Sequence, residues 1–407
     1  MPISSKSFRN IFINAMMAFL CLTVYGIAQE IQLVGHLDLH SQDLMSIATS
    51  GNYAYLGSLT GMTIADISDP THPDSVAYFN MGNDHWVQDI YLNGNYAYIA
   101  NFEYGFKIID ISNPLSPTLV GADSSFGYCY GISARGNYLY LTSGDSLIIA
   151  DITNPAHPEL ITRISYNGIA DRQIFIVDSL AYIQGEGSFD IYGIRDVFHP
   201  RYISRTNVGN NIDWMALRDT VLYLTSSLDS GLIYYSVANP VHPCRLGRTG
   251  TNLSGGIAIF DTFLFVGYEN GLKLFRITHS GQLLERARHN GYEEGALSIL
   301  GDHIYGISQG GGMGVFDFPI IPCHYSPGNA NGLLPFNSID IMYDVNFLRG
   351  RGPAPPDSCS CPYLGIFYSS ADANGNCEFN SLDITYSVNY LKGIGPAPVS
   401  CPDCPPR

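Results

Sequence analysis

The sequence predicts an all-β fold in which seven four-stranded sheets close into a ring, followed by a small helical module. Three observations carry the prediction. A phrase of alternating aromatic and small residues around a tight turn returns seven times at a nearly constant interval. Glycine (42), tyrosine (28) and proline (23) are abundant while only 14% of the 407 residues are charged, a composition of short strands and turns rather than long helices. From Pro322 onward cysteine and proline concentrate, and a different, twofold repeat begins.

Residues 1–28 read as a secretory signal peptide. Lys6 and Arg9 precede the apolar run IFINAMMAFLCLTVYGIA, which ends in small residues at Gly26 and Ala28. The alternative is an uncleaved anchor, since the run approaches the ~18 residues that span a bilayer. Leu20, in front of Cys21, stands where a lipid-modified cysteine needs a small residue. A secreted or cell-surface location is therefore expected. The formal charge of -16, spread without long blocks, speaks against binding nucleic acid or anionic lipid.

Residues 29–321 carry the sevenfold repeat. SGNYAYLG from Ser50 returns as NGNYAYIA from Asn93 and RGNYLYLT from Arg135, then more weakly from Val177, Arg218, Phe260 and Leu300. With Gly51, Gly94, Gly136, Asp178, Asp219, Asp261 and Gly301 as equivalents, the spacings are 43, 42, 42, 41, 42 and 40 residues. A period in the low forties signals one small sheet per repeat. Each unit reads as an apolar strand, a hairpin turn, a second strand, a third such as GFKIIDI, a proline corner, and an outer strand such as PTLVGAD. Stacked radially, seven such sheets make a seven-bladed β-propeller. The last unit stops after GMGVFDF without an outer strand, and IQLVGHLD at Ile31 to Asp38 supplies one, so the start of the chain is expected to close the ring.

The phrase FKIIDISNPLSP and its copies resemble the bacterial LVIVD-repeat propellers over roughly Ile31 to Phe318. That resemblance implies the fold and an extracytoplasmic setting, and no particular chemistry.

Asp66, Asp110, Asp151 and Asp317 recur in register, as do His72, His157, His199 and His242 before proline. A residue that returns once per blade lies on a ring of equivalent turns, so these are read as corner-capping groups rather than acids, bases or metal ligands. The informative residues break the repeat. The loops leading into each first strand differ from unit to unit, and in a propeller they gather on one face around the central channel. They contain both tryptophans, Trp86 and Trp214, with Asp43, Asp84, His85, Tyr128, Tyr130, Asp171, Arg172, Asp213, Tyr292, Glu293 and Glu294. An acidic, aromatic rim suits a sugar, a cationic ligand or a protein partner, and plain packing and solvation is the competing reading. No Ser-His-Asp order, phosphate-cradling loop or His-Glu-x-x-His motif is present, so no catalytic residue is assigned. Cys129 and Cys244 fall in different blades and are expected to be free, buried thiols.

Residues 322–407 hold six of the nine cysteines and a duplicated unit, GNANGLLPFNSIDIMYDVNFLRGRGPAP from Gly328 and ADANGNCEFNSLDITYSVNYLKGIGPAP from Ala371. Each is a polar loop followed by an amphipathic helix. The second loop follows the twelve-position EF-hand layout, with Asp372, Asn374, Asn376, the carbonyl of Glu378, Asn380 through water, and Asp383 as oxygen ligands for calcium. Cys377 stands where the EF-hand has its glycine. The first loop offers Asn329, Asn331, Asn337 and Asp340, with Leu333 at a ligand position, and is the weaker site. The cysteines fit an oxidising compartment; a zinc site from Cys359, Cys361, Cys401 and Cys404 is the less favoured alternative.

This tail resembles a type I dockerin. The resemblance implies docking to a cohesin-type partner or a surface component, with specificity read at Ser338, Ile339, Ser381 and Leu382, and a setting in polysaccharide breakdown. The sequence as a whole then reads as a secreted binding and scaffolding protein whose propeller face takes a carbohydrate or protein ligand. The alternatives are a purely structural surface protein, or a glycoside hydrolase or lyase on the same scaffold, which needs two rim carboxylates ~5 to 10 Å apart among Asp84, Asp171, Asp213, Glu293 and Glu294.

Overall fold

The structure is a computed structural model. It describes residues 31–318 apart from 40–41, 83–84, 166–169, 210, 227–230, 250–252, 261, 269–270, 278–281, 292–294 and 309–310. In the tail it describes 338–348, 359–361, 365–367, 373, 381–392, 394, 396 and 398.

Seven antiparallel four-stranded sheets follow one another as predicted. Strand β1 (Gln32–Asp38) precedes blade 1, which is β2 (Leu44–Ser50), β3 (Tyr53–Ser58), β4 (Gly61–Asp66) and β5 (Asp74–Asn80). Blade 2 is β6 (Asp89–Asn93), β7 (Tyr96–Ala100), β8 (Phe106–Asp110) and β9 (Thr118–Asp123), and blade 3 is β10 (Cys129–Arg135), β11 (Tyr138–Ser143), β12 (Ser146–Asp151) and β13 (Glu159–Ser165). Blade 4 runs from β14 (Ala170–Val177) through β15 (Leu180–Gly185) and β16 (Ser188–Gly193) to β17 (Arg201–Asn207). Blade 5 is β18 (Trp214–Arg218), β19 (Val221–Ser226), β20 (Gly231–Ser236) and β21 (Cys244–Thr249). Blade 6 is β22 (Ile257–Phe260), β23 (Phe263–Tyr268), β24 (Gly271–Ile277) and β25 (Leu283–Asn290). Blade 7 consists of β26 (Leu297–Leu300), β27 (His303–Ser308) and β28 (Gly312–Asp317), with β1 as its outer strand.

The innermost strands touch in cyclic order, β2 to β6, β10, β14, β18, β22, β26 and back to β2, so the ring is closed. The chain's start makes the closure. β1 pairs antiparallel with β28 from Gln32 opposite Asp317 to Asp38 opposite Gly312, and the Leu39 amide donates to the Gly311 carbonyl at 2.8 Å.

Side-chain alternation explains why the second strands are apolar throughout. In β7, Ala97 and Ile99 enter the core between blades 1 and 2 while Tyr98 and Ala100 enter the core between blades 2 and 3. Each neighbouring pair of blades shares one such core, and blades 7 and 1 share theirs with Leu37 and Leu39 of the β1 segment. The hairpin alignment also holds. Gly51, Gly94, Gly136 and Gly301 have φ of +57°, +57°, +58° and +60°, and Asp178 and Asp219 take the same left-handed conformation at +51° and +52°. Aspartate tolerates that region better than most side chains, which is why it can stand in for glycine here.

The proline corners are Asx turns. Asp66, Asp110 and Asp151 each accept the backbone N–H two residues on at 2.7–2.8 Å; hydrogen bonds from the Thr153 hydroxyl and amide at Asp151, and from the amides and hydroxyls of Ser68 and Ser112 at Asp66 and Asp110, hold their carboxyls below the usual carboxylate range. His72 and His199 lie on the neighbouring corner carboxylates Asp69 and Asp196 and are exposed. The LVG phrase shared by β1 and β9 has a packing cause: a Cβ on Gly35 or Gly121 would come within 2.0 or 2.1 Å of the carbonyl oxygen of Pro70 or Pro155, in the next blade's corner. At the matching place in blade 4, Ser204 instead donates to the Pro240 carbonyl at 2.6 Å.

One expectation is corrected. Cys129 is a free, fully buried thiol, pushed up to about 12 by burial, but Cys244 opens the outer strand of blade 5 and is exposed. Outer strands present one side of their pleat to water, so a cysteine there need not be buried.

In the tail, α1 (Ser338–Leu348) and α2 (Ser381–Leu391) pack on each other, and β29 (Cys359–Cys361) pairs antiparallel with β30 (Gly365–Phe367). Among the described residues, no helix is long and apolar enough to cross a membrane. The predicted signal segment lies outside the described residues.

Candidate functional site

Among the described residues, side chains at the entry to the first strands fall in two distinct places. The first is a cavity of about 840 Å³ at the channel mouth. Six of the seven blades line it, through Asp43, Ser46, Gln88, Asp89, Gln173, Asp213, Trp214, Ser254 and Tyr268 together with glycine and aliphatic residues. Trp214 is the first residue of β18 rather than part of a loop, and its ring packs against two inter-blade cores as well as facing the cavity.

Sequence reading passed over Asp89, Gln88 and Gln173. The position five residues before each hairpin turn carries Ser46, Asp89, Gly131, Gln173, Trp214, Gly256 and Ala296, so it is as irregular as the loops that were singled out. Its side chains tie neighbouring blades together. Asp89 accepts the Ile132 amide of blade 3 at 3.0 Å, Gln173 accepts the Met215 amide of blade 5 at 2.6 Å, and Ser46 donates to the Val87 carbonyl of blade 2 at 3.0 Å. The second oxygen of Asp89 accepts its own neighbour's amide, Ile90, at 2.9 Å. Both carboxylate oxygens are thus engaged by backbone, which makes Asp89 a strut between blades rather than a free acid.

Burial in the ring nonetheless pushes the Asp89 carboxyl up to about 7, against the two amide bonds that lower it. Between about pH 4 and 7 the folded protein therefore holds a proton at Asp89 that the unfolded chain has released. This group's contribution to stability falls as pH rises through that window and is level above it. Asp89→Asn removes the slope. Denaturant unfolding of both proteins is expected to show the stability of the wild type relative to Asp89→Asn decreasing between about pH 4 and 8; a difference independent of pH contradicts a desolvated carboxyl.

The second place is an aromatic platform where blades 2 and 3 meet. Trp86 stacks on Phe102 with centroids 4.8 Å apart and planes at 11°, and Tyr128 and Tyr130 meet Phe102 edge-on at 5.2 and 5.6 Å. Tyr128 is exposed and donates from its hydroxyl to Glu103 at 3.1 Å. Beside them His85 stacks on Tyr104 at 3.6 Å, and the His85 Nδ1 receives both the Lys107 ammonium at 3.1 Å and the Asn101 amide at 3.0 Å. With two donors on Nδ1, the ring is the neutral tautomer protonated at Nε2. Burial pushes Lys107 down from the usual lysine range. Phe102 sits at φ +41°, a conformation that costs a bulky residue about 1–3 kcal/mol and that surrounding contacts must hold in place.

The predicted rim residues thus divide. His85, Trp86, Tyr128 and Tyr130 come together on the platform, whereas Asp43, Asp213 and Trp214 line the channel. For Asp171 and Arg172 only the strand backbone of β14 is described, and Asp84, Tyr292, Glu293 and Glu294 lie outside the described residues. Asn101, Phe102, Glu103 and Tyr104 were missed because they lie on the connection between the second and third strands of blade 2, and Lys107 because it lies on the third strand itself. The signal was available: NFEYG is longer than the corresponding turn SGD of blade 3 and matches no other unit.

In the tail, Asp383 is fully buried in the first turn of α2 and accepts the Ala373 amide at 3.1 Å. Asp340, Ser338, Ile339, Ser381 and Leu382 are placed on their helices by backbone alone. Asn329, Asn331, Asn337, Asp372, Asn374, Asn376, Glu378 and Asn380 lie outside the described residues. Among the described residues there is no cluster of three metal-ligating side chains.

A closed seven-bladed propeller with an irregular, aromatic, cavity-bearing face is the architecture of a binding or scaffolding protein. The LVIVD repeat family model matches residues 42–80, 86–122 and 126–166, the three units whose phrases are most regular. The chain therefore carries LVIVD repeats within a seven-bladed β-propeller. No curated protein matches. Among solved structures, the chain is similar to the crystal structure of the computationally designed Ika8 protein, with a TM-score of 0.50 and 13% identity over 70% of this chain and 100% of that one. At that identity the likeness is one of fold.

Proposed function

We propose that this chain is a secreted binding and scaffolding protein whose propeller face takes a carbohydrate or protein ligand and whose tail, read as dockerin-like, docks it to a cohesin-type partner or cell-surface component. A place among proteins of polysaccharide breakdown follows from the same reading of the tail. The observation that carries the proposal is the blade 2–3 platform. Four aromatic rings are gathered on a loop-bearing face, one in a strained backbone conformation, beside a lysine and a histidine that share a hydrogen bond. Flat aromatic surfaces with polar groups at their margin recognise sugar rings and partner side chains.

Calcium belongs to the tail reading. The donor set of the second loop is all oxygen, which suits calcium, and the last of its ligands, Asp383, has its carboxylate turned back onto the loop's Ala373 amide. Asp372, Asn374, Asn376, the Glu378 carbonyl and Asn380 would complete that site, with Asn329, Asn331, Asn337 and Asp340 as the weaker set in the first loop.

An oligosaccharide and peptide array probed with the wild type and with Trp86→Ala tests the face. Trp86 is only partly buried and lies outside the inter-blade cores, so the variant is expected to keep its thermal midpoint and lose at least tenfold in affinity for whatever the wild type captures. Undiminished capture by Trp86→Ala sinks the platform as the binding surface. Trp214→Ala is a poorer probe, because that ring also supports two cores.

A further inference from the structure

The channel mouth is a second site with a chemistry of its own. Asp43, Asp89 and Asp213 are contributed to the cavity by blades 1, 2 and 5, and Trp214 of blade 5 and Tyr268 of blade 6 line it as well. Among the described lining residues there is no lysine, arginine or histidine. The other polar groups are the amides of Gln88 and Gln173 and the hydroxyls of Ser46 and Ser254, and the Gln173 oxygen and the Ser46 hydroxyl are already bonded to neighbouring blades. A concave pocket of this volume takes a small molecule rather than a single ion.

We propose that the channel mouth binds a small organic cation, an alkylammonium seated against the Trp214 ring and between the carboxylates of Asp43 and Asp213. The inference rests on the reading of this face as a binding surface and names the ligand class of its central part. Three features converge on that class. Carboxylates from separate blades surround one volume, so their fields add there and low-dielectric walls focus them. An indole face prefers a cation over a neutral group of equal size. Asp89, already raised by burial, gains from any positive charge brought near it. The platform is balanced differently, with Lys107 and Glu103 of opposite sign and the neutral His85 beside its rings, so the two places on one face select different ligands or different parts of one ligand.

The test is calorimetric titration of the full chain with hexamethylenediamine, with hexanediol as the uncharged isostere and adipate as the anion. The diamine is expected to bind, the diol at least tenfold more weakly, adipate not at all, and the diamine's affinity to fall with added salt. Asp43→Asn and Asp213→Asn remove charge without removing the hydrogen bonds between blades made by Asp89, Gln173 and Ser46, and each is expected to weaken the diamine several-fold; the exposed Asp43→Asn is expected to unfold with the wild type, and affinity of Asp213→Asn is read at a temperature where its own unfolding curve shows it folded. Equal affinity for diamine and diol, or diamine binding untouched in the Asp43→Asn/Asp213→Asn double variant, overturns the inference. Failure of the diamine to bind while array capture remains sensitive to Trp86→Ala overturns the cation site alone and leaves the platform standing.

Discussion

A chain that begins at Gln42 is expected not to form a stable monomeric ring. The residues removed include β1, the outer strand of blade 7, and with it six cross-strand pairs to β28. Ile31, Leu37 and Leu39 also leave two inter-blade cores in which they are nine-tenths or more buried. Each such side chain contributes about 1.5–3 kcal/mol of burial. The three together approach the 5–15 kcal/mol that holds a typical domain folded. The truncation further bares the edge of β28, which invites pairing with another chain. Size-exclusion chromatography and denaturant unfolding check the outcome: aggregation or loss of a cooperative transition is expected, and a monomer with the wild-type midpoint contradicts closure by β1. Gly35→Val tests the same strand gently. Its side chain would be driven against the Pro70 carbonyl of the next corner, and a loss of about 1–3 kcal/mol is expected.

Arg205→Ala is expected to cost about 3–5 kcal/mol. Asp190 lies within blade 4 with its side chain only 5% exposed, and Arg205 grips both its oxygens, Nε to Oδ1 at 2.7 Å and a terminal nitrogen to Oδ2 at 2.6 Å. Removing the guanidinium strands a buried carboxylate. In a ring of this size the loss corresponds to a drop of roughly 10 °C in Tm. Asp190→Leu with Arg205→Met replaces the pair by apolar groups of similar volume and is expected to recover most of the stability. A single variant that unfolds with the wild type shows that water reaches Asp190 after all.

The ring was legible in the sequence because its determinants are local and repeated. The period is fixed by strand length and turn chemistry, and even the weak fourth and fifth units kept a turn residue that tolerates left-handed backbone, Asp178 and Asp219 in place of glycine. Closure was legible because β1 and β9 share LVG, and the glycine in it answers the next blade's proline corner. The site was legible only in part. Leading loops were expected to form one rim, and the structure separates their residues into a channel and a platform: Trp214 sits on its first strand and lines the channel, whereas Trp86 precedes its first strand and stacks on Phe102. Phe102 and Lys107 were missed because they follow the second strand, Phe102 on its outgoing connection and Lys107 on β8, and only the turn of the sheet brings them beside Trp86 and His85. Asp89 was missed because its role is set by a partner 43 residues away in the next blade.

The two tryptophans give the most direct test of the central claim, that this face binds ligands at two places. Trp86 belongs to the platform and Trp214 to the channel, and the protein has no third tryptophan. Trp214→Phe leaves Trp86 as the only indole reporter, and Trp86→Phe leaves Trp214. Fluorescence titration of both variants with an oligosaccharide or peptide taken from the array, and with hexamethylenediamine, is expected to move the Trp86 signal with the first and the Trp214 signal with the second. Emission that stays unchanged in both variants across both ligands contradicts the account, and leaves the ring a scaffold whose face binds neither.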